Sequence, residues 1–439
     1  MAFGTKGDVN PIAGVAAAFA ADQSQYLVYL ITHSAHENLS DVEAPDFALK
    51  KKAITSEHRL ECLKAMEMII GDGPSLQDDF IVINFFALEG WSLAELFHVR
   101  CVVAAPYVVP YRYGFSKEVV ECPVKVMVVS GYWPSNARVC GFWFLPMEWQ
   151  FSCSGCRTNL DTDCPGHLNA KFELCAVHTD LQSFLTASTS DLPIFIGLSS
   201  VGRQVLMGFL KNPQAFLRIL GVVVEITNLR FILFSAGYEP LDCAINVMSG
   251  GLSSSNLKRS FEGFLLFDNR VFCFSGAVPY SWLFPKCAVA VHHGGSGSTA
   301  AALLAGVPQV ICPFLLDQFY WAERMFWLGV SPEPLHKDHL LPDQDDEISI
   351  KKAATSLSNA IRLALSPDTK ALAANLARRI SSEDGVGEAV KILKEEIVRC
   401  CQIQLNGELK CHGSVALQSK TEQQLQRNCC PSKVLLNVV

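Results

Sequence analysis

Short apolar runs alternate with helical text along most of this chain. Tyr26–Ile31, Phe80–Phe86, Val99–Ala104 and Val139–Leu145 read as strands in the first part, with an Ala-rich helix over Pro11–Ala21. Pro193–Ile196, Arg230–Phe234, Val271–Phe274, Ala288–Val291 and Val310–Cys312 repeat the theme in the second part. Runs this short, and apolar throughout, suit strands buried on both faces in parallel sheets layered by helices. The alternation breaks over residues 152–191, rich in Cys, Ser, Thr and Asp, and restarts near 193. The pattern predicts an α/β protein with parallel sheets in two domains, residues 1–180 and 181–399. The second domain ends in helical text from Lys351 to Arg399, and residues 400–439 form a polar, Gln-rich tail that packs poorly.

Composition narrows the class. The 439 residues are 50% hydrophobic and only 18% charged, which excludes disorder for the bulk of the chain. A net charge of −7 without a dense Lys/Arg stripe disfavours a nucleic-acid partner, and Lys50–Lys52 reads as a solvated helix face. No apolar run approaches the roughly 18 residues of a spanning helix, and 288–316 is broken by His292, His293 and glycines. Neither a basic n-region nor an apolar h-region opens the chain, so no secretory signal is expected. The 17 cysteines, odd in number and scattered, suit reduced thiols in a cytoplasmic protein.

The strongest chemical signal is the run Ala288-Val-Ala-Val-His-His-Gly-Gly-Ser-Gly-Ser-Thr299, where a strand enters a loop with three glycines before a helix expected from Ala300. Glycines let backbone N–H groups approach an anion, and a helix N-terminus adds a favourable dipole. His293, Ser296, Ser298 and Thr299 add donors, so the loop reads as a phosphate cradle rather than an ordinary Ser/Thr N-cap. The next strand ends in Cys312-Pro313-Phe-Leu-Leu-Asp317-Gln318, placing an acid and an amide near the same crevice. Such a pair suits sugar hydroxyls, although Asp317 could instead cap the helix Phe319–Leu328. A second loop, Gly4-Thr5-Lys6-Gly7-Asp8-Val9-Asn10-Pro11, also precedes a helix; Asp8 could serve there as a general base or as an N-cap. No Gly-x-Ser-x-Gly elbow follows a strand, which removes a hydrolase of that kind.

These loops, with Val278-Pro-Tyr-Ser-Trp-Leu-Phe284 and Trp321-Ala-Glu-Arg324, occur in an order that resembles UDP-sugar-dependent GT-B glycosyltransferases. The sterol 3-β-glucosyltransferase branch is the nearest pattern, specific over about residues 193–335 and clear again over 3–33. The resemblance implies two Rossmann-like domains facing a central cleft, with the acceptor in the first and the nucleotide sugar in the second. It puts His293, Gly295, Ser296, Gly297, Ser298 and Thr299 on the diphosphate loop and Asp317 and Gln318 on the glucose hydroxyls. Tyr280 and Trp282 fall beside the nucleotide base, Ser200 near the phosphates, and Thr5, Lys6 and Asp8 on the first loop, with Asp8 as base. The implied reaction is inverting transfer of glucose from UDP-glucose to a lipophilic hydroxyl, a sterol or another small acceptor. No cofactor and no catalytic metal are expected, and a sterol acceptor implies peripheral association with a membrane.

Departures from the pattern define the competing expectation, a nucleotide-sugar binder without transfer activity. Lys6 replaces an Arg, Ser199 a Gly, Tyr280 a His and Ser298 a Thr. Met1 stands only two residues before Phe3-Gly4, so most of a first strand is expected to be missing. Tyr107–Tyr111 runs almost directly into Tyr113-Gly-Phe-Ser, where the family has acceptor-pocket helices. Separately, Cys153-x₂-Cys156, Cys164-x₂-His167 and Cys175-x₂-His178 have spacings that suit tetrahedral Zn²⁺, against the plainer reading of an irregular interdomain segment. His33 and His36 could shuttle protons beside Asp8 or simply pack in a cleft or core.

Overall fold

The computed structural model describes residues 1–4, 6–22, 27–32, 47–70, 79–105, 137–144, 150–151, 153, 155–156, 174–187, 191–198, 210–235, 237–250, 263–276, 278–341, 345–408 and 435–437. The chain folds as two units, one of Met1–Tyr111, Lys125–Leu145 and Glu383–Val439, the other of Arg112–Val124 and Pro146–Ser382.

The first unit opens with α1 (Lys6–Ala21), α2 (Phe47–Ile70), β1 (Phe80–Ile83), α3 (Leu88–Leu96), β2 (Arg100–Ala105) and β3 (Ala137–Val139). Phe80 pairs with Arg100 and Ile83 with Val103 in a parallel β1–β2 ladder. Ile81, Ile83, Leu93, Val99 and Met66 close a core with Phe3. Helix α1 starts five residues earlier than Pro11, because Lys6–Asn10 supply the first turn and Pro11 follows inside the helix.

Residues 27–30 correct the expected first strand: Leu27, Val28, Tyr29 and Leu30 are exposed and lie outside any strand, and only Thr32 bridges to Ala2. An apolar run makes a strand only where a neighbouring edge offers a full ladder, and here the pairing is a single bridge. Tyr107–Tyr111 and the interval after it lie outside the described residues.

The second unit contains α4 (Thr179–Thr186), β4 (Ile194–Gly197), α5 (Pro213–Thr227), β5 (Phe231–Phe234), α6 (Glu239–Met248), β6 (Phe264–Leu266), β7 (Val271–Phe274), α7 (Tyr280–Leu283), β8 (Val289–His292), α8 (Ser296–Ala305), β9 (Gln309–Ile311), α9 (Gln318–Trp327), α10 (Glu347–Ala364) and α11 (Pro367–Ile380). Its sheet runs β6-β7-β5-β4-β8-β9, parallel except for β6, a short edge strand the apolar pattern did not single out. Ile194 and Ile196 of β4 face a core with α5 and α10, while Phe195 faces another with α7 and α8. This burial on both faces explains why the strands read as continuous apolar runs.

The chain then returns to the first unit through α12 (Gly385–Glu408), which packs on α1, with Lys394 paired to Asp22. A last strand, β10 (Leu435–Asn437), lies parallel between β2 and β3. Two expectations are thereby corrected. The end of the 400–439 segment supplies a strand, because Val434–Val439 is itself a β-prone apolar run. The divide falls near residue 146 rather than 180, because Phe151, Cys153, Cys156 and Leu174 join the core around Phe195 and Phe272 in the second unit.

Phe195 is fully buried, with ring contacts to Phe234 at 6.4 Å, Tyr280 at 5.3 Å and Phe284 at 5.1 Å. Phe195→Ala is expected to cost about 3–5 kcal/mol, read by denaturant unfolding of the whole chain. A loss below about 1 kcal/mol would show that this layer does not hold the sheet.

Candidate functional site

The strand order of the second unit reverses between β4 and β8. From β4 the chain builds outward through β5 and β7, then returns through β8 to the other side of β4 and continues to β9. In an open parallel sheet the crevice outside the carboxyl ends of the strands at such a reversal is where ligands bind. Gly197, the last residue of β4, pairs with His292, the last residue of β8, so the loops after both strands leave from this point.

The loop after β8 is short and tightly specified. His292 accepts a hydrogen bond at Nδ1 from Gly294 N (3.0 Å), so its Nε2–H donates to Gln309 Oε1 (2.8 Å). Gly294 has φ of +84°, and a Cβ there would come within 2.8 Å of Ile311 Cγ2 and 3.0 Å of the Gln318 carbonyl oxygen. Only glycine satisfies both the left-handed backbone and that approach. The crowding also shows that residues 293–295 lie against the loop leading into α9.

Helix α8 starts at Ser296 rather than Ala300, so Ser298 and Thr299 lie within its first turn, and both are buried. The first N–H groups of a helix lack intrahelical acceptors, and Gly295 as N-cap supplies no side-chain oxygen to take one. A Cβ on Gly297 would meet nothing within 4 Å, so the helix end is open on that side. The buried His293 Nδ1 and Thr299 Oγ1 have no hydrogen-bond partner among the described residues. Open backbone donors beside two such side chains make this helix end a candidate anion cradle.

The loop after β9 reaches the same place. Gln318 is buried, and its Oε1 accepts from the N–H groups of Phe314 (2.9 Å) and Leu315 (3.1 Å). Asp317 stands at the N-cap of α9 without a side-chain capping bond, and its Oδ2 accepts from Trp321 Nε1 at 3.0 Å. Neither the plain cap nor an unengaged sugar ligand describes Asp317: the indole fixes one carboxylate oxygen and sets the direction of the group. Leu316, just before Asp317, is exposed with φ of +53°, a conformation L-residues adopt only where surroundings impose it.

The aromatic segment differs from expectation in one respect. Tyr280 is half-buried and stacks on Phe284 at 4.6 Å with 15° between the rings. Trp282 is buried with the Lys286 ammonium 4.0 Å from its ring centroid, so its ring is spent on packing and a cation–π contact. The adjacent Pro279 starts a four-residue helix that turns this indole inward.

In the first unit, Asp8 lies in the first turn of α1, packed over Gly4, where φ is +113° and a Cβ would meet Asp8 Oδ2 at 2.7 Å. The buried Asn84, just after β1, ties this loop down: its Nδ2 donates to Phe3 O (2.7 Å) and Asp8 O (3.2 Å), and its Oδ1 accepts from Phe3 N. Asn84 and the His292–Gln309 pair are positioning residues the sequence reasoning missed. The available signal was a lone polar residue at the end of an apolar strand. Thr5, Ser199, Ser200, His33 and His36 lie outside the described residues, as does the side chain of Lys6.

The comparisons agree with this geometry. The EryCIII-like C-terminal domain (erythromycin biosynthesis protein CIII-like) matches residues 270–393, the stretch holding both loops. Two solved structures share the fold at TM-score 0.51: CalG4, the calicheamicin glycosyltransferase, at 17% identity over 91% of this chain and 97% of that one, and a ugt transferase from Siraitia grosvenorii in complex with UDP, at 13% over 90% and 99%. The fold is that of the GT-B glycosyltransferases. Among curated proteins the chain is similar to sterol 3-beta-glucosyltransferase UGT80A2 of Arabidopsis thaliana, 36% identical over 201 residues, or 46% of this chain and 25% of that protein. The match thus spans about a quarter of the relative's length.

Burial pushes His292 down to about 4 and His293 down to about 3, with His292 adding to the depression of His293. Unfolded imidazoles titrate near 6.5, so as pH falls from about 6.5 to 4 the unfolded chain takes up protons that the folded chain refuses. Their contribution to stability is therefore complete above about pH 6.5 and declines toward pH 4. His293→Ala is expected to flatten the pH dependence of unfolding in that window by up to about 1.4 kcal/mol per pH unit. An unchanged slope would show that His293 is not buried as a neutral imidazole.

Proposed function

We propose that the protein is an inverting glycosyltransferase that moves glucose from UDP-glucose to the hydroxyl of a hydrophobic acceptor, a sterol. The observation that carries the reading is the anion cradle at the strand-order reversal, with the Asp317–Gln318 loop held against it at Gly294. The substrate class comes from the sterol glucosyltransferase relatives.

In this reading the diphosphate of the donor sits at the N-terminus of α8, taking N–H groups of residues 296–298 and the hydroxyls of Ser296, Ser298 and Thr299. His293, neutral at physiological pH, offers a hydrogen bond rather than a charge. As the glycosidic bond breaks, negative charge grows on the β-phosphate, and preorganised backbone donors and the helix dipole stabilise it. Asp317, its direction set by the Trp321 indole, accepts from glucose hydroxyls. Gln318 keeps its carbonyl on the loop backbone and has its NH₂ group to offer. Asp8 takes the proton of the attacking hydroxyl, a role worth about 10²–10⁴-fold for a well-placed base. A single displacement inverts the anomeric centre, converting an α-linked donor to a β-glucoside. No cofactor beyond the donor enters these steps, and with a sterol acceptor the protein works at a membrane surface from the cytoplasmic side. Among the described residues no helix is long and apolar enough to cross a membrane.

Incubation of the chain with labelled UDP-glucose and a sterol-containing lipid extract should give a labelled glycolipid. UDP-glucose binding without any labelled product would replace the transferase reading with that of a nucleotide-sugar binder. Asp8→Asn should lower turnover by at least about 10²-fold while calorimetric UDP-glucose binding is retained; near-normal turnover would remove Asp8 from the mechanism. Gly294→Ala should weaken UDP binding, because the added methyl drives the cradle away from the Gln318 loop.

A further inference from the structure

A second site lies in the segment that the sequence pattern treats as an irregular connection. Cys153 and Cys156 stand three residues apart, and Cys175 and His178 lie at the 3₁₀ turn Ala176–His178 that leads into α4. Their ligand atoms all lie within 4.8 Å of one another. Cys175 Sγ is 3.5 Å from Cys153 Sγ and 3.6 Å from Cys156 Sγ, and His178 Nδ1 is 3.5 Å from the sulfurs of both Cys156 and Cys175. From these atoms we infer a structural zinc site, with Cys153, Cys156, Cys175 and His178 as its four ligands.

The distances decide among the alternatives. A disulfide needs sulfurs about 2.05 Å apart, so none of these contacts is one. A tetrahedral Zn²⁺ with Zn–S near 2.3 Å and Zn–N near 2.05 Å has S–S edges of about 3.8 Å and S–N edges of about 3.6 Å. The observed 3.5–3.6 Å separations match the edges of that tetrahedron. Three thiolates and an imidazole at tetrahedral spacing suit Zn²⁺ better than the hard oxygen-seeking cations.

The surroundings are built for thiolate ligands. The Cys175 backbone N–H donates to Cys156 Sγ at 3.4 Å, the kind of outer bond that holds a metal-bound sulfur. Gly155 leaves room for the turn, since a Cβ there would stand 3.1 Å from Cys175 Sγ. Cys164 and His167, the middle pair of the sequence pattern, lie outside the described residues, and the four ligands complete a tetrahedron without them. All four positions come from protein, which is the arrangement of a structural rather than a catalytic zinc.

The site has a definite mechanical place. Cys153 and Cys156 belong to the core that includes Phe184, Phe272, Trp282 and Phe284. Phe184 of α4 stacks on Phe272 of β7 at 5.4 Å, and Arg230 lies 4.9 Å from the Phe184 ring and donates to its carbonyl. A metal here ties the 153–178 excursion to the sheet face that also carries α7 with Tyr280. The inference is independent of the transferase reading, since it concerns the fold of the second unit.

The test uses the full chain, purified without added metal. Elemental analysis should find about one zinc per chain, retained on gel filtration. Exchange for Co²⁺ should give the intense visible absorption and sulfur-to-metal charge-transfer bands of a tetrahedral thiolate site. Cys156→Ser and His178→Ala should lose the metal, and chelation of the wild-type protein should lower its melting temperature. Because either variant can misfold, the wild-type zinc count and cobalt spectrum stand alone as readouts. A wild-type chain that carries no zinc, gives an octahedral cobalt spectrum or none, and melts unchanged with chelator would overturn the proposal. So would a Cys153–Cys175 disulfide found by mass spectrometry of the native protein.

Discussion

The candidate site depends on one close approach of backbone to backbone. At Gly294 the chain leaves β8 in a left-handed conformation and passes against Ile311 and the main chain of Gln318. Without that contact the N-terminus of α8 and the loop before α9 would not share one crevice. His292 secures it from beneath by accepting from Gly294 N and donating to Gln309. Burial holds both histidines neutral, so neither brings a fixed cation to the loop.

The same economy appears around Gln318 and Asp317. Gln318 gives its side-chain oxygen to two backbone N–H groups, and Asp317 accepts from the Trp321 indole. What remains is oriented by those bonds, and loop residues need such anchoring to act as precisely as residues on rigid elements. Asn84 does comparable work in the first unit, holding Phe3 and Asp8 through main-chain carbonyls.

Much of the second unit was legible in its residues. Its parallel strands fall within about a residue or two of their apolar runs, because a strand buried on both faces must be apolar throughout. The Gly-rich run announced its loop for a similarly local reason: close approach and positive φ demand glycine. Legibility failed where an element's fate lay with a distant partner. Residues 27–30 are apolar but stand exposed beside a single bridge, and the 400–439 segment ends in a strand between β2 and β3. The edge strand β6 was invisible because three residues carry no periodicity.

By itself the sequence determined the α/β class, the parallel strands of the second unit, the glycine loop and the spacing of its cysteine pairs. All of these follow from short-range requirements for burial, φ and ligand separation. Tertiary structure alone decided that the strand order reverses between β4 and β8, bringing the His293–Thr299 and Phe314–Gln318 loops together. It likewise buried Trp282 beneath Lys286 and gathered the ligand atoms of Cys153, Cys156, Cys175 and His178 within 4.8 Å of one another. These outcomes depend on which distant segments meet, and spacing along a chain carries no direct record of distance in space.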